Sequence, residues 1–242
     1  MDRLATFSRS LRLFRAFRRE QVDPAGFYGV LAADSVAQLS RWSDVNGRSV
    51  LDVGGGPGYF ADAFRAAGAT YVGLEPDAGE LTARGGTEPG TVRASGEELP
   101  IRSAAVDVCF SSNVLEHVPR PWTMTAEMVR VTKPGGLVYL SFTPWWSPWG
   151  GHETAPWHFL GGHRAARRYR RRTGQEPKNR FGTSLFVVRV GAAVRWARSC
   201  PDVDLVAVYA RYYPWWASWV ARVPGLREVA SWNVVLVMRR RS

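Results

Sequence analysis

Apolar positions along this chain change their period as the sequence proceeds, and each change marks a different kind of element. Leu4, Phe7, Leu11 and Phe14 recur at helical spacing with arginines between them, which predicts a basic amphipathic helix within residues 1–20. Asp23 followed by Pro24 has the form of a capped helix start, so a second helix is expected over about residues 24–42. From residue 49 the period shortens. SVLDV, TYVGLEP, VRAS, AVDVCFSS and GGLVYLSFT read as five strands, with FADAFRAAG, stopped by Gly68, and TMTAEMVRVT as helices between them. Strand alternating with helix at this spacing predicts an α/β chain whose mostly parallel sheet carries helices on both faces and ligands at the carboxyl ends of its strands.

Residues 144–200 break that rhythm with prolines, glycines, tryptophans and three of the four histidines, and are expected to form an insertion or cap after the fifth strand. DVDLVAVYA and NVVLVMRR then read as closing strands around an aromatic-rich segment. The expected divisions are a helical arm over 1–45, a core over 46–143, the cap over 144–200 and the closing strands over 201–242.

A length of 242 residues suits one domain with an insertion, and 45% hydrophobic with 22% charged residues is ordinary for a globular chain. The net charge of +11 is not ordinary. It rests on arginine, clustered at Arg3, Arg9, Arg12, Arg15, Arg18 and Arg19, and again at Arg164, Arg167, Arg168, Arg170, Arg171 and Arg172. Such runs are solvated helix faces or docking surfaces for phosphate or anionic lipid. Cys109 and Cys200 show no ligand-like spacing, which fits a reduced, cytoplasmic setting. There is no signal-peptide pattern and no run of 18 apolar residues, so no transmembrane span is expected.

The segment LDVGGGPGYF, residues 51–60, puts four glycines between a strand and a helix, where bare backbone and free helix amides can approach a ligand. Counted from Asp52, Gly54, Gly56 and Gly58 give D-x-G-x-G-x-G, which differs from the dinucleotide fingerprint G-x-G-x-x-G. This loop resembles that of class I S-adenosylmethionine-dependent methyltransferases. Glu75 in YVGLEPD, then SSNVLEHVPRPW and RVTKPGG, resemble the motifs of the type 11 methyltransferase family in order and spacing over residues 49–143. The chain as a whole resembles actinobacterial members of that family, a likeness that names no acceptor.

The resemblance implies a Rossmann-like sheet with its last strand antiparallel, S-adenosyl-L-methionine as cofactor, and methyl transfer as the activity. Carried over residue by residue, Gly54, Gly56 and Gly58 line the methionine and ribose, Asp52 reaches the amino-acid end or holds the loop, and Glu75 binds the ribose. Where the family often has an acidic residue for adenine, this chain has Ala94, Ser95 and Gly96, leaving the Ser95 hydroxyl and the amide of Gly96 or Glu97 for that task. Asn113 joins the cofactor residues and is expected to cap a short helix with Glu116, with His117 as part of the cofactor wall or as a base.

A hydroxyl acceptor must lose a proton as it is methylated, which calls for a base near neutral pH. GGHETAPWHFLGGH supplies His152, Glu153 and His158 for that task, and His163 joins Trp145, Trp146, Trp149 and Trp157 as candidate acceptor-binding residues. Three readings stay open: packed structural histidines, a base at His152 or His158 oriented by Glu153, and a divalent metal site. H-E-x-x-x-x-H lacks the spacing of the helical zinc motif, so no metal is assigned.

No N-P-P-Y-like segment follows the fourth strand, and the aromatics are not interleaved with the basic N-terminus, so nucleic acid is disfavoured. The expected acceptor is a small hydroxylated molecule such as a sugar, glycolipid or lipid-linked metabolite, with peripheral contact to anionic membrane at its inner face. Two alternatives remain: an RNA methyltransferase or RNA-binding module using the arginine run, and an inactive cofactor-binding regulatory protein.

Overall fold

Alternation within the strands sorts the chain into two apolar faces, and the fold follows from covering both. The computed structural model describes residues 5–20 and 22–242; Arg3 and Leu4 of the expected N-terminal helix lie outside these. Seven strands, β1 (Ser49–Val53), β2 (Thr70–Leu74), β3 (Thr91–Val92), β4 (Val106–Ser112), β5 (Thr132–Phe142), β6 (Val203–Ala210) and β7 (Val234–Arg240), form one sheet in the order β3-β2-β1-β4-β5-β7-β6. The first five are parallel, and β7 runs antiparallel to both β5 and β6. The expected class I methyltransferase topology is therefore the one observed. The carboxyl ends of β1, β2, β4, β5 and β6 share one edge.

Val50, Val108, Phe110, Leu137, Tyr139, Val235 and Val237 point to one face of the sheet. There they meet α1 (Phe7–Phe17), α2 (Pro24–Leu39) and α3 (Ala61–Ala66) through Leu13, Phe27, Leu31, Ala61 and Phe64. Their neighbours in sequence, Leu51, Val53, Cys109, Val138, Leu140, Leu236 and Met238, point to the other face. That face is covered by Met124 and Met128 of α5 (Pro121–Val131) and by Ala193, Val194 and Ala197 of α7 (Val190–Ser199). The period of 2 in the strands is what separates the two sets. α7 thus lies on the sheet, so the part of the expected 144–200 insertion that stands over the carboxyl edge ends before Val190. That cap contains α6 (Gly162–Thr173); α4 (Ala78–Leu81) and α8 (Leu226–Ala230) are single-turn connections elsewhere.

Asp23 caps α2 as its sequence signature predicts, its carboxylate accepting from the Gly26 amide at 2.9 Å. The first helix departs from expectation in which face it buries. Phe7 is 66% exposed, whereas Leu13 and Arg9 are buried. The reason is polar: Asp34 of α2 is buried and needs a partner, and Arg9 turns inward to supply one at 2.5 and 2.7 Å. Gln38 donates to the same carboxylate at 2.6 Å, and Arg9 also donates to the Arg211 carbonyl at 2.8 Å. Arg211, only 1% exposed, continues the network into the sheet by donating to Ser35, to Ser112 Oγ (2.8 Å) and to Ser141 Oγ (3.0 Å).

Candidate functional site

The glycine loop leaves β1 at the carboxyl edge, and Gly54, Gly56 and Gly58 all have left-handed backbone, with φ of +77°, +54° and +80°. They are bare for different reasons. A Cβ on Gly54 would stand 2.5 Å from a Val114 methyl, and one on Gly58 would stand 2.5 Å from Glu88 Cγ. A Cβ on Gly56 would meet nothing within 4 Å, so the loop opens onto space there alone among the three. Beside that space stands Glu75, just past β2. Its Oε2 accepts from the Gly56 amide (3.1 Å) and its Oε1 from the Asp77 amide (3.0 Å), while burial pushes its pKa up.

Each carboxylate oxygen keeps a second lone pair, so Glu75 is aimed and still able to accept two vicinal hydroxyls. A glycine-bare cradle next to an oriented carboxylate fits the ribose of S-adenosylmethionine. Asp52 is turned into the sheet. It is 1% exposed, accepts from Tyr71 Oη at 2.8 Å beneath the loop, and burial pushes its pKa up to about 7. Tyr59, following Gly58, stacks on Tyr28 of α2 at 4.7 Å, and the Arg84 guanidinium lies over Tyr59 while donating to the Gly58 carbonyl at 3.2 Å. Neither Tyr28 nor Tyr59 carries a motif that would single it out in the sequence.

On the adenine side, Ser95 is exposed and its Oγ accepts from the Glu97 amide at 3.2 Å. The Glu97 carboxylate is taken by Arg120, which donates from its amide at 2.8 Å and its guanidinium at 2.7 and 2.9 Å. Gly96 is bare for packing, since a Cβ there would stand 2.9 Å from Val53 Cγ1.

After β4 the expected Asn113–Glu116 capping pair does not form. Asn113 has φ +59°, and its Oδ1 accepts from Asn233 at 2.7 Å. Glu116 instead reaches sideways to the end of β5, where its Oε1 accepts from the Thr143 amide at 3.0 Å. It is 1% exposed, burial pushes its pKa up, and its Oε2 has no partner among the described residues. His117 lies 2.7 Å through Nδ1 from the Ser184 carbonyl, an acceptor, so Nδ1 carries a proton and donates, and Nε2 is the ring nitrogen left for another partner. The Phe186 amide donates to the Glu116 carbonyl at 2.8 Å, so two cap bonds hold this turn.

The cap then brings His152 to His117, with ring centroids 5.0 Å apart. Donor atoms of Glu116, His117 and His152 all lie within 4.8 Å of one another. Burial, with His117 and His158 nearby, pushes the His152 pKa down to about 3, so its imidazole is neutral at physiological pH.

The other histidine-cluster expectations change. His158 is fully buried, its Nε2 lies 3.1 Å from the Ser147 carbonyl, and its ring packs on Trp145 and Phe159, with burial pushing its pKa down. It is the centre of the cap's own small core. Glu153 orients neither histidine; its Oε1 accepts from Asn179 at 2.8 Å. His163 is exposed and packs edge-on against Phe181. Trp145 is buried between His158 and Phe181, and Trp146 stacks on Phe159. Trp149 packs against Phe17 of α1 and Trp232, and Trp157 lies under the Arg168 guanidinium at 3.8 Å. Large aromatic side chains in a segment without regular structure must first build that segment's core, and these largely do so.

A groove of about 870 Å³ lies elsewhere, along β6, lined by Trp42, Tyr213, Trp215 and Trp219 among others and by none of the corner or glycine-loop residues. Among the described residues no helix is long and apolar enough to cross a membrane.

Comparison with known proteins agrees with this fold. The family model described as a methyltransferase domain, the type 11 one, matches residues 51–140. A protein of Mycobacterium marinum named as an uncharacterized methyltransferase is 54% identical over 249 aligned residues, covering 99% of this chain and 97% of that protein. Among solved structures, an S-adenosylmethionine-dependent methyltransferase from Mesorhizobium loti superposes with a TM-score of 0.57 at 18% identity, covering 86% of this chain and 98% of that one. A geranyl diphosphate C-methyltransferase from Streptomyces coelicolor, solved with S-adenosyl-L-homocysteine, gives 0.59 at 13% identity, with 91% and 83% covered.

Proposed function

We propose, because this chain belongs to the type 11 family of S-adenosylmethionine-dependent methyltransferases, that it methylates a hydroxyl of a sugar, glycolipid or lipid-linked metabolite, and that the corner of Glu116, His117 and His152 activates that hydroxyl. Bound S-adenosylmethionine supplies a methyl group on a sulfonium, which passes to the acceptor oxygen as the S–C bond breaks and its electron pair stays on sulfur. The chain's own part is positioning and proton handling. Glu75, aimed by the Gly56 amide, holds the ribose end, and the cap excludes water from the reacting edge. The acceptor's proton leaves at the corner, where His117 keeps a free Nε2 because Ser184 fixes its Nδ1.

Convergence of those three side chains at the carboxyl edge carries this reading; a methyl transfer to carbon or sulfur has less use for it. The apolar part of the acceptor is supported by the segment leaving β6 at the same edge, which exposes Trp215, Trp216, Trp219, Val223, Leu226 and Val229. Trp215 is tied by its amide to the Ala5 carbonyl at 2.7 Å, next to α1, whose Arg12, Arg15 and the following Arg18 and Arg19 face solvent. Aromatic rings beside arginines suit an anionic membrane surface at its inner face. Labelled methyl transfer from S-adenosylmethionine into lipid and sugar extracts tests the function. Product with an ether-linked methyl, lost in His117→Ala, supports it, and methyl on carbon, nitrogen or sulfur refutes it.

A second reading draws on α6, where Arg164, Arg167, Arg168, Arg171 and Arg172 line an open hollow of about 520 Å³. Such a surface suits a polyanion such as RNA, and binding there would fall steeply with added salt.

A further inference from the structure

We infer that Glu116, His117 and His152 form a binding site for one divalent cation of the zinc or first-row transition-metal kind. Two imidazoles and one carboxylate, one donor atom from each, already lie within 4.8 Å of one another. A tetrahedral ion with bonds of about 2.0–2.2 Å draws its donors to roughly 3.3 Å apart, so closing the site takes side-chain shifts on the order of 1 Å. Nitrogen-rich donors without thiolate favour zinc, manganese, iron or cobalt over calcium or magnesium, and three protein ligands leave a fourth position for an exchangeable oxygen.

Two features beyond proximity point to an ion. Glu116 Oε2 and His152 Nε2 are shielded from solvent and have no hydrogen-bond partner among the described residues. Buried polar atoms are rarely left so, and a shared cation satisfies both at once. The outer contacts are also those that a metal site needs. Ser184 holds His117 through Nδ1, leaving Nε2 as donor, and the Thr143 amide holds Glu116 through Oε1, leaving Oε2.

His152 is positioned as firmly. It has left-handed backbone at φ +48°, uncommon outside glycine. The two glycines before it cannot carry side chains: a Cβ on Gly151 would stand 2.5 Å from the His158 ring, and one on Gly150 would overlap the Trp145 carbonyl. The cap therefore delivers this imidazole at one place and angle. With His117 Nε2 taken up as a ligand, an ion there would replace that imidazole as the activating group: it would bind the acceptor's oxygen and lower its pKa, with the proton released to water. That use rests on the function proposed above, whereas the binding of the ion does not.

The experiment uses untagged full-length protein, stripped with chelator, dialysed and titrated with cobalt(II) by visible absorption and with zinc by calorimetry. One equivalent of cobalt should bind saturably, and Glu116→Gln and His152→Ala should each weaken it at least tenfold, while His163→Ala on the cap surface leaves it unchanged. Retained binding of S-adenosylhomocysteine confirms that each variant is folded. Absence of saturable binding in the wild-type protein, or wild-type affinity in Glu116→Gln, His117→Ala and His152→Ala, overturns the site. Ether-methyl product formed by protein that binds no ion overturns it and leaves the proposed function standing. Ion binding that depends on these residues, with methyl found only on carbon or nitrogen, upholds the site and removes the function.

Discussion

Replacing Gly54 and Gly56 separately by alanine tests whether the glycine loop is bare for the protein or for its ligand. Both residues have left-handed φ, at +77° and +54°, so each alanine costs about 1–2 kcal/mol of backbone strain. Only at Gly54 does the new methyl meet protein, 2.5 and 2.6 Å from the two Val114 methyls. Val114 is half-buried and packs against the core cluster, so moving it aside adds about 1–3 kcal/mol of overpacking. At about 2–4 °C per kcal/mol for a chain of this size, Gly54→Ala should melt about 2–12 °C below Gly56→Ala. Cofactor affinity should show the opposite order, with Gly56→Ala losing at least tenfold because its methyl enters ligand space. Thermal melting by circular dichroism and calorimetric titration with S-adenosylhomocysteine supply both orders. A double-mutant cycle with Val114→Ala should return about 1–3 kcal/mol of coupling. Equal melting of the two single variants would refute the packing argument, and wild-type affinity in Gly56→Ala would place the cofactor elsewhere.

Three further expectations follow from buried charge. Burial raises the Asp52 pKa from 3.8 to about 7, so the folded state holds this proton more tightly than the unfolded chain. The resulting stabilisation is full below about pH 4 and is lost as pH rises toward 7, on the order of 4 kcal/mol in all; urea unfolding across that range should show a slope that Asp52→Asn reduces, with buried Glu75 and Glu116 supplying the rest. Asp34→Ala leaves Arg9 buried without its carboxylate and should cost about 3–5 kcal/mol in the same assay, whereas Arg9→Met with Asp34→Leu should cost far less. Glu75→Ala should weaken S-adenosylmethionine binding by about 1.5–3 kcal/mol through lost charge-assisted hydrogen bonds, and unchanged affinity by calorimetry would move the ribose site.

The core was legible because its signals are local. Strand alternation, the D-x-G-x-G-x-G loop, Gly68 after α3 and the Asp23–Pro24 start each lie within a few residues of what they determine. The N-terminal helix was legible as a helix but not in its orientation. Its apolar stripe suggests Phe7 inward, and nothing near residue 9 announces that Asp34 will need an arginine. The same limit applies to the tryptophans of the cap. Their clustering reads equally as a binding surface or as packing, and the choice is made by Phe17, Phe181 and Trp232, which arrive from distant segments.

The corner shows why a site can be half visible. Glu116 and His117 hang from the end of β4, and Glu116 is anchored at Thr143, where β5 ends one strand over. The β4–β5 register, pairing Ser112 with Ser141, therefore sets where the carboxylate points. The chain leaving Thr143 builds the cap and returns His152 to the same spot, while residues 184–186 tie that cap back to Glu116 and His117. In sequence His152 stands beside Glu153 and near His158, and that nearness suggests the wrong partners. Glu153 turns away to Asn179, and His158 turns inward to Ser147. What joins His152 to Glu116 and His117 is strand pairing plus a loop closure, so shifting the β4–β5 register by one residue would dismantle the corner without altering any of its three side chains.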